Sequence, residues 1–400
     1  MVFTMSSKLI RDPIWRDIMI DGLFMELADT REVQRLRNIK QNGLCYLVYP
    51  AMNSTRFEHS LGVYHLAGVL CARLGLEPKK TMELQAASLL HDIGHGPFSH
   101  TFDPIFSEKG FDHETRSARI VTTSKIKDIL SAHGISPPKV AELIGGGGKL
   151  GSILSSDVDV DKMDYLVRDA YYAGVAYGVT DVERLLSSIM LVKDEVVVDE
   201  SGLEAAESLL INRAMMHQTV YRHHTKRIAE SMMQHALSRF IESGADPTQI
   251  MASDDPGLVA LLRGSSGYSK EIMACIDDRR LFKNVFSEPI NSFSEESRQE
   301  LHKNANEVEQ RISDELGIEP GYLLIDFPKA VMSEYGLKIK TKNGLKSIME
   351  ISTLAKSLKA SEQEKLTLNI YVAEKNIRQF EKFQPQKFFT YTQTRISGYT

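Results

Sequence analysis

The sequence predicts a mainly α-helical protein: a helical bundle with a short β-hairpin, followed by a smaller C-terminal domain of mixed α and β structure. From about residue 30 to 240, apolar residues return at intervals of three and four, the period of a helix with one buried face. The segment 190–198 alternates like two short strands, and YLLIDFP, LKIKTK and LTLNIYVA are typical of strands after residue 310. We therefore predict a bundle domain over 1–245, a helical connecting region over 246–310, and a small α+β domain with a polar tail over 311–400.

The helical prediction rests on rows of apolar residues and on the breaks between them. One row is Val33, Leu36 and Ile39. Breaks lie at 42–43, 75–78, 137–138 and 145–148, where glycine, proline or asparagine interrupts the pattern. The last break, GGGGKL, lacks the Ser or Thr that follows lysine in a phosphate-binding loop, so we interpret it as a flexible linker.

Composition excludes several classes of protein. Hydrophobic residues make up 42%, charged residues 25%, and the net charge is -5, which fits neither a disordered chain nor a protein that coats a polyanion. The three cysteines are far apart without a CxxC pair, so we expect no disulfide framework and no zinc ribbon. No run of about 18 apolar residues occurs. These features predict a cytoplasmic protein that neither is exported nor enters a membrane.

One segment, LLHDIGHGPFSH at 89–100, concentrates three imidazoles and a carboxylate. If it begins as a helix, His91 and His95 lie on one face, one turn apart, with Asp92 beside them. The glycines and proline that follow would end the helix and turn His100 towards the same pocket. Imidazole nitrogen and carboxylate oxygen together suit iron, manganese, nickel or zinc better than calcium. The segment therefore predicts part of a transition-metal site.

Two other segments supply further ligands and polar contacts. In RFEHSLG, Arg56 and His59 are three residues apart, so a helix would present a cation and a ligand to one site. In SSDVDVDKMDYLVRDA, Asp161, Tyr165 and Asp169 recur every four residues on one helical face. Any single histidine among these is more often a hydrogen-bonded core residue, and other aspartates of the second segment can cap a helix. The joint pattern favours the metal site.

Taken together, His59, His91-Asp92 and Asp161 resemble the H...HD...D ligand pattern of the HD-domain phosphohydrolases. The segments RFEHSLG, HDIGHGPFSH, DHE and DVDKMDY resemble the deoxynucleoside triphosphate triphosphohydrolase branch of that family, over about residues 10 to 240. The resemblance implies an HD domain in 1–245, with those four residues holding a divalent iron, manganese, nickel or zinc ion. Magnesium could accompany the nucleotide phosphates.

The resemblance also implies an acid–base group beside the metal. His95 and Glu114 would form an oriented imidazole–carboxylate pair, supported by His113 and Asp103, and His100 would lie near the leaving oxygen. A carboxylate fixes the tautomer of its partner histidine and raises its basicity. The DHE segment is also a typical helix start with an N-cap aspartate, and both interpretations can hold together.

Residues for the substrate and for a second, activating nucleotide are likewise implied by the resemblance. The substrate contacts are Gln41 at the sugar, Arg56, Lys162, Tyr165, Asp169, Arg213, His217 and Tyr221. The activator contacts are Asp29, Gln34 and Arg37. One position departs from the family pattern, because Asn42 stands where a bulky apolar residue lies near the sugar C2′. A polar amide there could accept a 2′-hydroxyl, which questions strict exclusion of ribonucleotides.

The leading hypothesis is metal-dependent hydrolysis of a deoxynucleoside triphosphate to a deoxynucleoside and tripolyphosphate by a homo-oligomer, a dimer or tetramer. Other HD-type reactions remain open: a nucleotidase, a cyclic phosphodiesterase or a guanosine polyphosphate hydrolase. A non-catalytic nucleotide-binding regulator would be expected to have lost the acid–base set, which is present. The aromatic tail 382–400 has no acidic residue, so contact with nucleic acid is a further, weaker hypothesis.

Overall fold

In the computed structural model, the described residues are 7–107, 112–193, 195–328 and 335–392. Helices dominate, as predicted. They are α1 (Gly22–Ala28), α2 (Arg31–Arg35), α3 (Arg56–Arg73), α4 (Pro78–Leu90), α5 (Asp103–Ser107), α6 (His113–Thr123), α7 (Lys125–Ala132), α8 (Pro137–Ile144), α9 (Val160–Ala173), α10 (Val182–Ser188), α11 (Leu203–Met216), α12 (His224–Glu242), α13 (Pro247–Ala252), α14 (Asp255–Gly264), α15 (Gly267–Asp277), α16 (Glu295–Leu316), α17 (Ile348–Ile351), α18 (Thr353–Glu364) and α19 (Ile377–Phe380). The strands are β1 (Lys8–Asp12), β2 (Arg16–Ile20), β3 (Ile189–Val192), β4 (Glu195–Asp199), β5 (Lys283–Pro289), β6 (Leu323–Asp326), β7 (Lys338–Thr341), β8 (Gly344–Ser347) and β9 (Thr367–Val372).

The chain forms two compact units, each built from several segments. The first contains Met1–Arg222, Gly244–Leu261 and Glu334–Lys356, and the second contains His223–Ser243, Leu262–Ser333 and Ser357–Thr400. Both units cross the boundaries predicted at residues 245 and 310. The predicted division places three domains one after another along the chain, and it stays a prediction.

Helix α3 is the central element of the first unit. It packs against α4 and α9, while α8 packs against α4 and α6. A capping box starts α3, because the Thr55 side chain accepts from the Glu58 backbone and the Glu58 side chain accepts from the Thr55 backbone. Helix α9 starts at the N-cap Asp159 and ends at Gly174, whose φ of 68° is the left-handed conformation that suits glycine. These caps fix where the polar faces of both helices begin.

Two sheets belong to the first unit. Strands β1 and β2 form an antiparallel hairpin that the sequence patterns did not predict. The predicted hairpin at 190–198 is confirmed as β3 and β4, and this pair continues into β7 and β8 in the order β3-β4-β7-β8. The pairing of β4 with β7 is parallel. The predicted strand LKIKTK, which contains β7, therefore lies in the same sheet as the hairpin.

The second unit contains an antiparallel sheet in the order β5-β9-β6 together with α12, α15 and α16. The predicted strands YLLIDFP and LTLNIYVA are confirmed as β6 and β9. Buried ion pairs join its elements: Arg227 contacts Asp326, and His235 lies 3.1 Å from Glu309. Residues 393–400 of the aromatic tail lie outside the described residues, so the nucleic-acid hypothesis stays a prediction.

Two further expectations from composition can be compared with the structure. Cys45, Cys71 and Cys275 are free and buried, as expected for a chain without a disulfide framework. In the described ranges, no helix combines the length and the apolar character needed to cross a lipid bilayer.

Gly62 allows the close approach of α3 to α9. A Cβ atom at this position would lie 1.8 Å from the Asp164 Oδ1 atom, and that carboxylate is fully buried. Replacing Gly62 with alanine should therefore lower the free energy of unfolding by about 2–3 kcal/mol or more, because the helix pair must separate. Urea unfolding measures the change.

The matched control for this prediction is Gly264→Ala at the end of α14. A Cβ atom there meets nothing within 4 Å, so stability should stay within about 0.5 kcal/mol or rise slightly. Equal stabilities of the two variants would show that the α3–α9 approach is not as tight as the structure has it.

Candidate active site

Three separate elements of the first unit bring the four predicted metal ligands together. Helix α3 supplies His59, the turn after α4 supplies His91 and Asp92, and the first turn of α9 supplies Asp161. The Asp161 Oδ1 atom lies 2.9 Å from His59 Nε2 and 3.7 Å from His91 Nε2. His91 Nε2 is also 3.3 Å from Asp92 Oδ1. Ligand atoms of His59, His91 and Asp161 all lie within 4.8 Å of one another, which is the spacing of a metal site.

Both histidines present the same ring nitrogen to this space. His91 Nδ1 donates to the Ser88 carbonyl at 2.8 Å, and its Nε2 is buried without a hydrogen bond. His59 Nδ1 lies 2.8 Å from Asp164 Oδ2. Burial lowers the pKa of His59, but hydrogen bonds with Asp161 and Asp164 outweigh it and raise this pKa to about 10. The carboxylates therefore favour a positive charge here, and the donor set fits a divalent transition metal.

The residues from His91 to His95 form a turn and do not continue helix α4. Helix α4 ends at Leu90, and His91 is its C-cap. The segment 89–100 is therefore helical only at Leu89 and Leu90, and the helix does not extend over His91 and His95, although both still line one cavity. Polar side chains satisfy the carbonyl oxygens that a helix would have used. These donors are Ser117 to the carbonyl of His91, Arg35 to those of Ile93 and His95, and Arg116 to that of Gly94.

A buried ion pair lies beside the metal ligands. Arg56 Nη1 donates to Asp92 Oδ2 at 2.6 Å, and Arg56 Nε donates to Ser99 Oγ at 2.6 Å. Burial raises the pKa of Asp92, but the nearby Arg56 charge outweighs it and holds this pKa well below its usual range. The remaining guanidinium nitrogen, Nη2, is buried and has no hydrogen-bond partner in the described part of the chain, and Arg56 lines the cavity. It is therefore available to an anion.

Three more imidazoles line the same cavity, and two of them stack. The rings of His95 and His113 lie 4.1 Å apart at 16°. Burial lowers the pKa of both histidines, so both are neutral near pH 7. His95 Nε2 lies 3.3 Å from Asp92 Oδ1, and its Nδ1 is buried. Among the described residues this Nδ1 has no hydrogen-bond partner, so the predicted pair with Glu114 is not formed, although Glu114 also lines the cavity.

The pair that is formed joins His100 to Asp103, at 2.9 Å. Burial raises the pKa of Asp103, but the hydrogen bond from His100 outweighs it and holds the pKa below its usual range. Ligand atoms of His95, Asp103 and His113 also lie within 4.8 Å of one another. However, each imidazole binds a metal ion in its own ring plane, and the two stacked ring planes are nearly parallel. One ion cannot lie in both planes. This group suits proton transfer better than metal binding.

Polar residues at and beside the cavity form a second group. Gln41 and Tyr165 line the cavity, and the buried Gln41 Oε1 atom has no hydrogen-bond partner among the residues that the structure describes. The Asp169 carboxylate accepts hydrogen bonds from Asn42 Nδ2 and from the Tyr221 hydroxyl, both at 2.7 Å. Burial raises the pKa of Asp169 to about 6. The predicted spacing of Asp161, Tyr165 and Asp169 thus places all three on one helix beside the site.

Other predicted substrate residues lie further out. Lys162 Nζ pairs with Asp159 Oδ2 at 3.1 Å. Arg213 is on α11, which continues into a π-helix at His217–Tyr221, a distortion frequent at functional sites. Arg213, His217 and Tyr221 are not among the described residues that line the cavity, and Asp169, which accepts from Tyr221, is not among them either. Their roles stay predictions.

The structure adds lining residues that the sequence patterns missed. Ile144, Leu154 and Ser155, which flank the glycine-rich run 145–148, contribute to the wall of the cavity. The run was interpreted only as a linker, and nothing in its local pattern indicates which tertiary surface it covers.

The predicted activator residues lie close together at α1 and α2. Gln34 Nε2 donates to the Ala28 carbonyl at 2.8 Å, and Arg37 Nε donates to Gln34 Oε1 at 2.8 Å. The Arg37 guanidinium also lies over the Phe57 ring, 3.6 Å from its centroid. Asp29 is exposed at the C-cap of α1. A second nucleotide site here stays a prediction.

Comparison with known proteins gives matches over nearly the whole chain. Residues 56–169, which contain all four predicted metal ligands, match the family model of the HD domain, and residues 180–395 match that of the HD associated region. An uncharacterized protein of Methanocaldococcus jannaschii is 37% identical over 94% of this chain and 81% of its own. A Dictyostelium discoideum homolog of the deoxynucleoside triphosphate triphosphohydrolase SAMHD1 is 30% identical over 70% of this chain, and the match spans 60% of that relative.

The fold is also similar to solved structures. The crystal structure of a phosphohydrolase from Bacteroides thetaiotaomicron matches 92% of this chain and 100% of its own, with a TM-score of 0.74 and 25% identity.

A carboxylate from α14 holds two segments of the cavity wall. Asp255 accepts from the backbone N–H of Lys40 at 3.0 Å and from that of Phe98 at 2.7 Å. Lys40 precedes Gln41, while Phe98 and Ser99 have φ values of 50° and 33°, the left-handed region that non-glycine residues rarely adopt. Burial raises the pKa of Asp255 to about 6. This carboxylate therefore supports an unusual backbone turn beside the cavity.

The raised pKa of Asp255 predicts a pH-dependent stability. Between about pH 4 and 6 the folded protein binds its proton more tightly than the unfolded chain does, so this contribution is full at low pH and lost as the pH rises through about 6. The wild type should lose about 1 kcal/mol of unfolding free energy relative to Asp255→Asn between about pH 5 and about pH 7. Urea unfolding at both pH values measures this; a difference that does not change with pH would contradict it.

Proposed function

Because this chain belongs to the HD-domain phosphohydrolase family, we propose that it hydrolyses a deoxynucleoside triphosphate to a deoxynucleoside and tripolyphosphate. One observation carries the proposal. Four metal-ligand side chains, three further imidazoles and a buried arginine line a single cavity in the first unit. Phosphoester hydrolysis needs a cation, proton-transfer groups and a phosphate-binding group close together, and this cavity offers all three.

In this proposal, His59, His91, Asp92 and Asp161 hold the divalent metal. The ion would lower the pKa of a bound water and offset charge that builds on phosphorus. Arg56 binds a phosphate oxygen through Nη2, since its other nitrogens are held by Asp92 and Ser99. A guanidinium fixed in this way loses little rotamer freedom when the substrate binds.

Proton transfer is divided between two kinds of imidazole. His95 is neutral and buried, and donation from Nε2 to Asp92 leaves Nδ1 as an acceptor facing the cavity. His100 is more exposed, and its ring is oriented by the Asp103 carboxylate, which lies 2.9 Å from its Nδ1. We therefore propose His100 as the group that protonates the leaving oxygen, with His113 supporting His95 through the ring stack.

The nucleotide part of the proposal rests on the far side of the cavity and on one relative. Gln41, Tyr165 and the Asp169–Tyr221 pair offer hydrogen-bonding groups for a sugar, and Lys162, Arg213 and His217 are proposed contacts of the phosphate chain. The Dictyostelium relative carries the name of a deoxynucleoside triphosphate triphosphohydrolase. An activating nucleotide at Asp29, Gln34 and Arg37, a homo-oligomer, and magnesium on the phosphates are proposals of the same kind.

The reaction products test the proposed function. Protein reconstituted with manganese should convert a mixture of dNTPs to deoxynucleosides and tripolyphosphate, as read by mass spectrometry. The double variant His91→Ala, Asp92→Ala should lose at least about 100-fold in rate, because two metal ligands are removed. Release of orthophosphate or pyrophosphate instead would favour one of the other HD-type reactions.

The control for the double variant is His133→Ala. His133 pairs with Glu26 and does not line the cavity, so its loss should leave the rate unchanged. Binding of nucleotide with no product from the reconstituted wild type would favour the regulator hypothesis. A rate in the double variant equal to that of the control would remove the metal site from the reaction.

Asn42 bears on the choice between ribose and deoxyribose. Its Nδ2 donates to Asp169, so the side chain belongs to the network proposed to bind the sugar. In the related branch this position is apolar and lies near C2′. We therefore propose that Asn42 lets the protein accept ribonucleotides with a smaller penalty than an apolar residue would.

The variant Asn42→Leu tests this point. It should lower kcat/KM for NTPs relative to dNTPs by about fivefold, because the 2′-hydroxyl loses a hydrogen-bonding partner worth about 1 kcal/mol. Asn53→Leu is the matched control, since the Asn53 side chain is exposed and donates to the Pro50 carbonyl. Competition between labelled ATP and dATP gives the ratio directly. An identical ratio in wild type and Asn42→Leu would contradict the proposal.

A further inference from the structure

The carboxylate of Asp164, which lies behind the metal ligand His59, receives four hydrogen-bond donors. Its Oδ2 accepts from His59 Nδ1 at 2.8 Å and from Arg168 Nε at 2.9 Å. Its Oδ1 accepts from Arg168 Nη2 at 2.8 Å and from the Trp15 indole N–H. A carboxylate offers about four acceptor positions, so Asp164 is saturated. A fully buried carboxylate in this state has little freedom to turn.

This saturation fixes the orientation of the metal ligand. Because His59 Nδ1 is held by Asp164, Nε2 is the nitrogen that is left for a metal ion, and Nε2 faces Asp161. Carboxylates that bind the second nitrogen of a ligating histidine set its tautomer and ring angle. Any group that orients Asp164 therefore also orients the metal-binding nitrogen of His59.

The β1–β2 hairpin is linked to Asp164 in two ways, directly through Trp15 and indirectly through Asp12 and Arg168. Asp12 Oδ1 accepts from the backbone N–H groups of Ile14 and Trp15, both at 2.8 Å, which closes the turn. Asp12 Oδ2 accepts from Arg168 Nη1 at 2.8 Å. The same turn thus positions the indole that bonds Asp164 and holds the far arm of the arginine that bonds Asp164. The Asp12–Arg168 link is made in the interior, since Asp12 is 5% exposed and Arg168 is 0% exposed, and Trp15 itself is half-buried.

We propose that Trp15 is a positioning residue for the metal site and that the N-terminal hairpin, through Trp15 and Asp12, sets the metal affinity of His59. The proposal rests on the metal site of the proposed function. Among the described residues that line the cavity Trp15 does not appear; its indole N–H bonds Asp164, through which it acts. Loss of the indole N–H leaves one acceptor position of a buried carboxylate empty and lets Asp164 rotate against His59.

The test is the variant Trp15→Phe, which removes the N–H and keeps an aromatic ring in the turn. The dissociation constant for Mn²⁺ is measured without nucleotide, by competition with a fluorescent chelator. It should rise about tenfold, within the range that loss of an outer contact to a metal ligand produces. The melting temperature of the metal-free protein should change little, whereas the rise in melting temperature on adding Mn²⁺ should shrink.

The matched control is Tyr172→Phe. Tyr172 donates to Glu58 at 2.6 Å and so also joins α9 to α3, but it does not contact Asp164. This variant should keep the wild-type affinity for Mn²⁺. A merely structural role for Trp15 would lower the metal-free melting temperature of both variants and leave both affinities unchanged.

A second variant keeps the proposal testable if Trp15→Phe folds poorly. Asp12→Asn weakens the charged link to Arg168 at the other end of the path, and it should weaken Mn²⁺ binding in the same direction. Wild-type affinity in every folded variant of Trp15 and Asp12 would overturn the proposal. A wild type that binds no Mn²⁺ at all would instead contradict the metal site itself, which separates the two failures.

Discussion

The buried ion pair between Arg56 and Asp92 is the constraint on which the site depends. Removing a guanidinium and a carboxylate from water is unfavourable unless each is closely paired, so the two must stay at their 2.6 Å separation. That requirement ties the first turn of α3 to the turn after α4. Because His59 follows Arg56 on α3 and His91 precedes Asp92, the same pairing brings both imidazoles to one place. The metal ligands are therefore positioned by an interaction that does not itself need the metal.

The turn from His91 to His95 can meet this requirement only because side chains of other segments donate hydrogen bonds to its backbone carbonyl groups. A chain that leaves the helix at Leu90 exposes buried carbonyl groups, and each unpaired group would be unfavourable by about 1–3 kcal/mol. Arg35, Arg116 and Ser117 satisfy them from three directions. Asp255 plays the corresponding role for the N–H of Phe98. Hydrogen bonds from side chains to backbone groups thus fix the turns that form the cavity wall, and apolar side chains pack around these turns.

This division explains what the sequence could and could not predict. His59, His91 and Asp161 lie on segments whose local spacing indicates helices and turns, and the structure brings them together as predicted. Partners that join distant segments have no local pattern. Trp15 and Asp164 are 149 positions apart, and Asp255 is 215 positions from Lys40. The pairing of His95 with Asp92, rather than with Glu114, also depends on how two turns approach each other, which spacing alone does not fix. The β1–β2 hairpin was missed because charged residues interrupt both of its strands, KLIRD and RDIMI, so that little apolar alternation marks them.

The charge pattern of the cavity restricts which phosphoester fits. Asp161 lies in the first turn of α9 and Asp169 about two turns later, roughly 12 Å along the helix axis. Arg56 and the imidazoles line the cavity together with the first, whereas the second, which is not among the described lining residues, accepts hydrogen bonds from Asn42 and Tyr221. In the proposed function, a nucleotide would place its anionic groups at the Asp161 end and its sugar hydroxyl groups towards the Asp169 network. A carboxylate repels further negative charge, so a sugar suits the Asp169 end better than a phosphate group does.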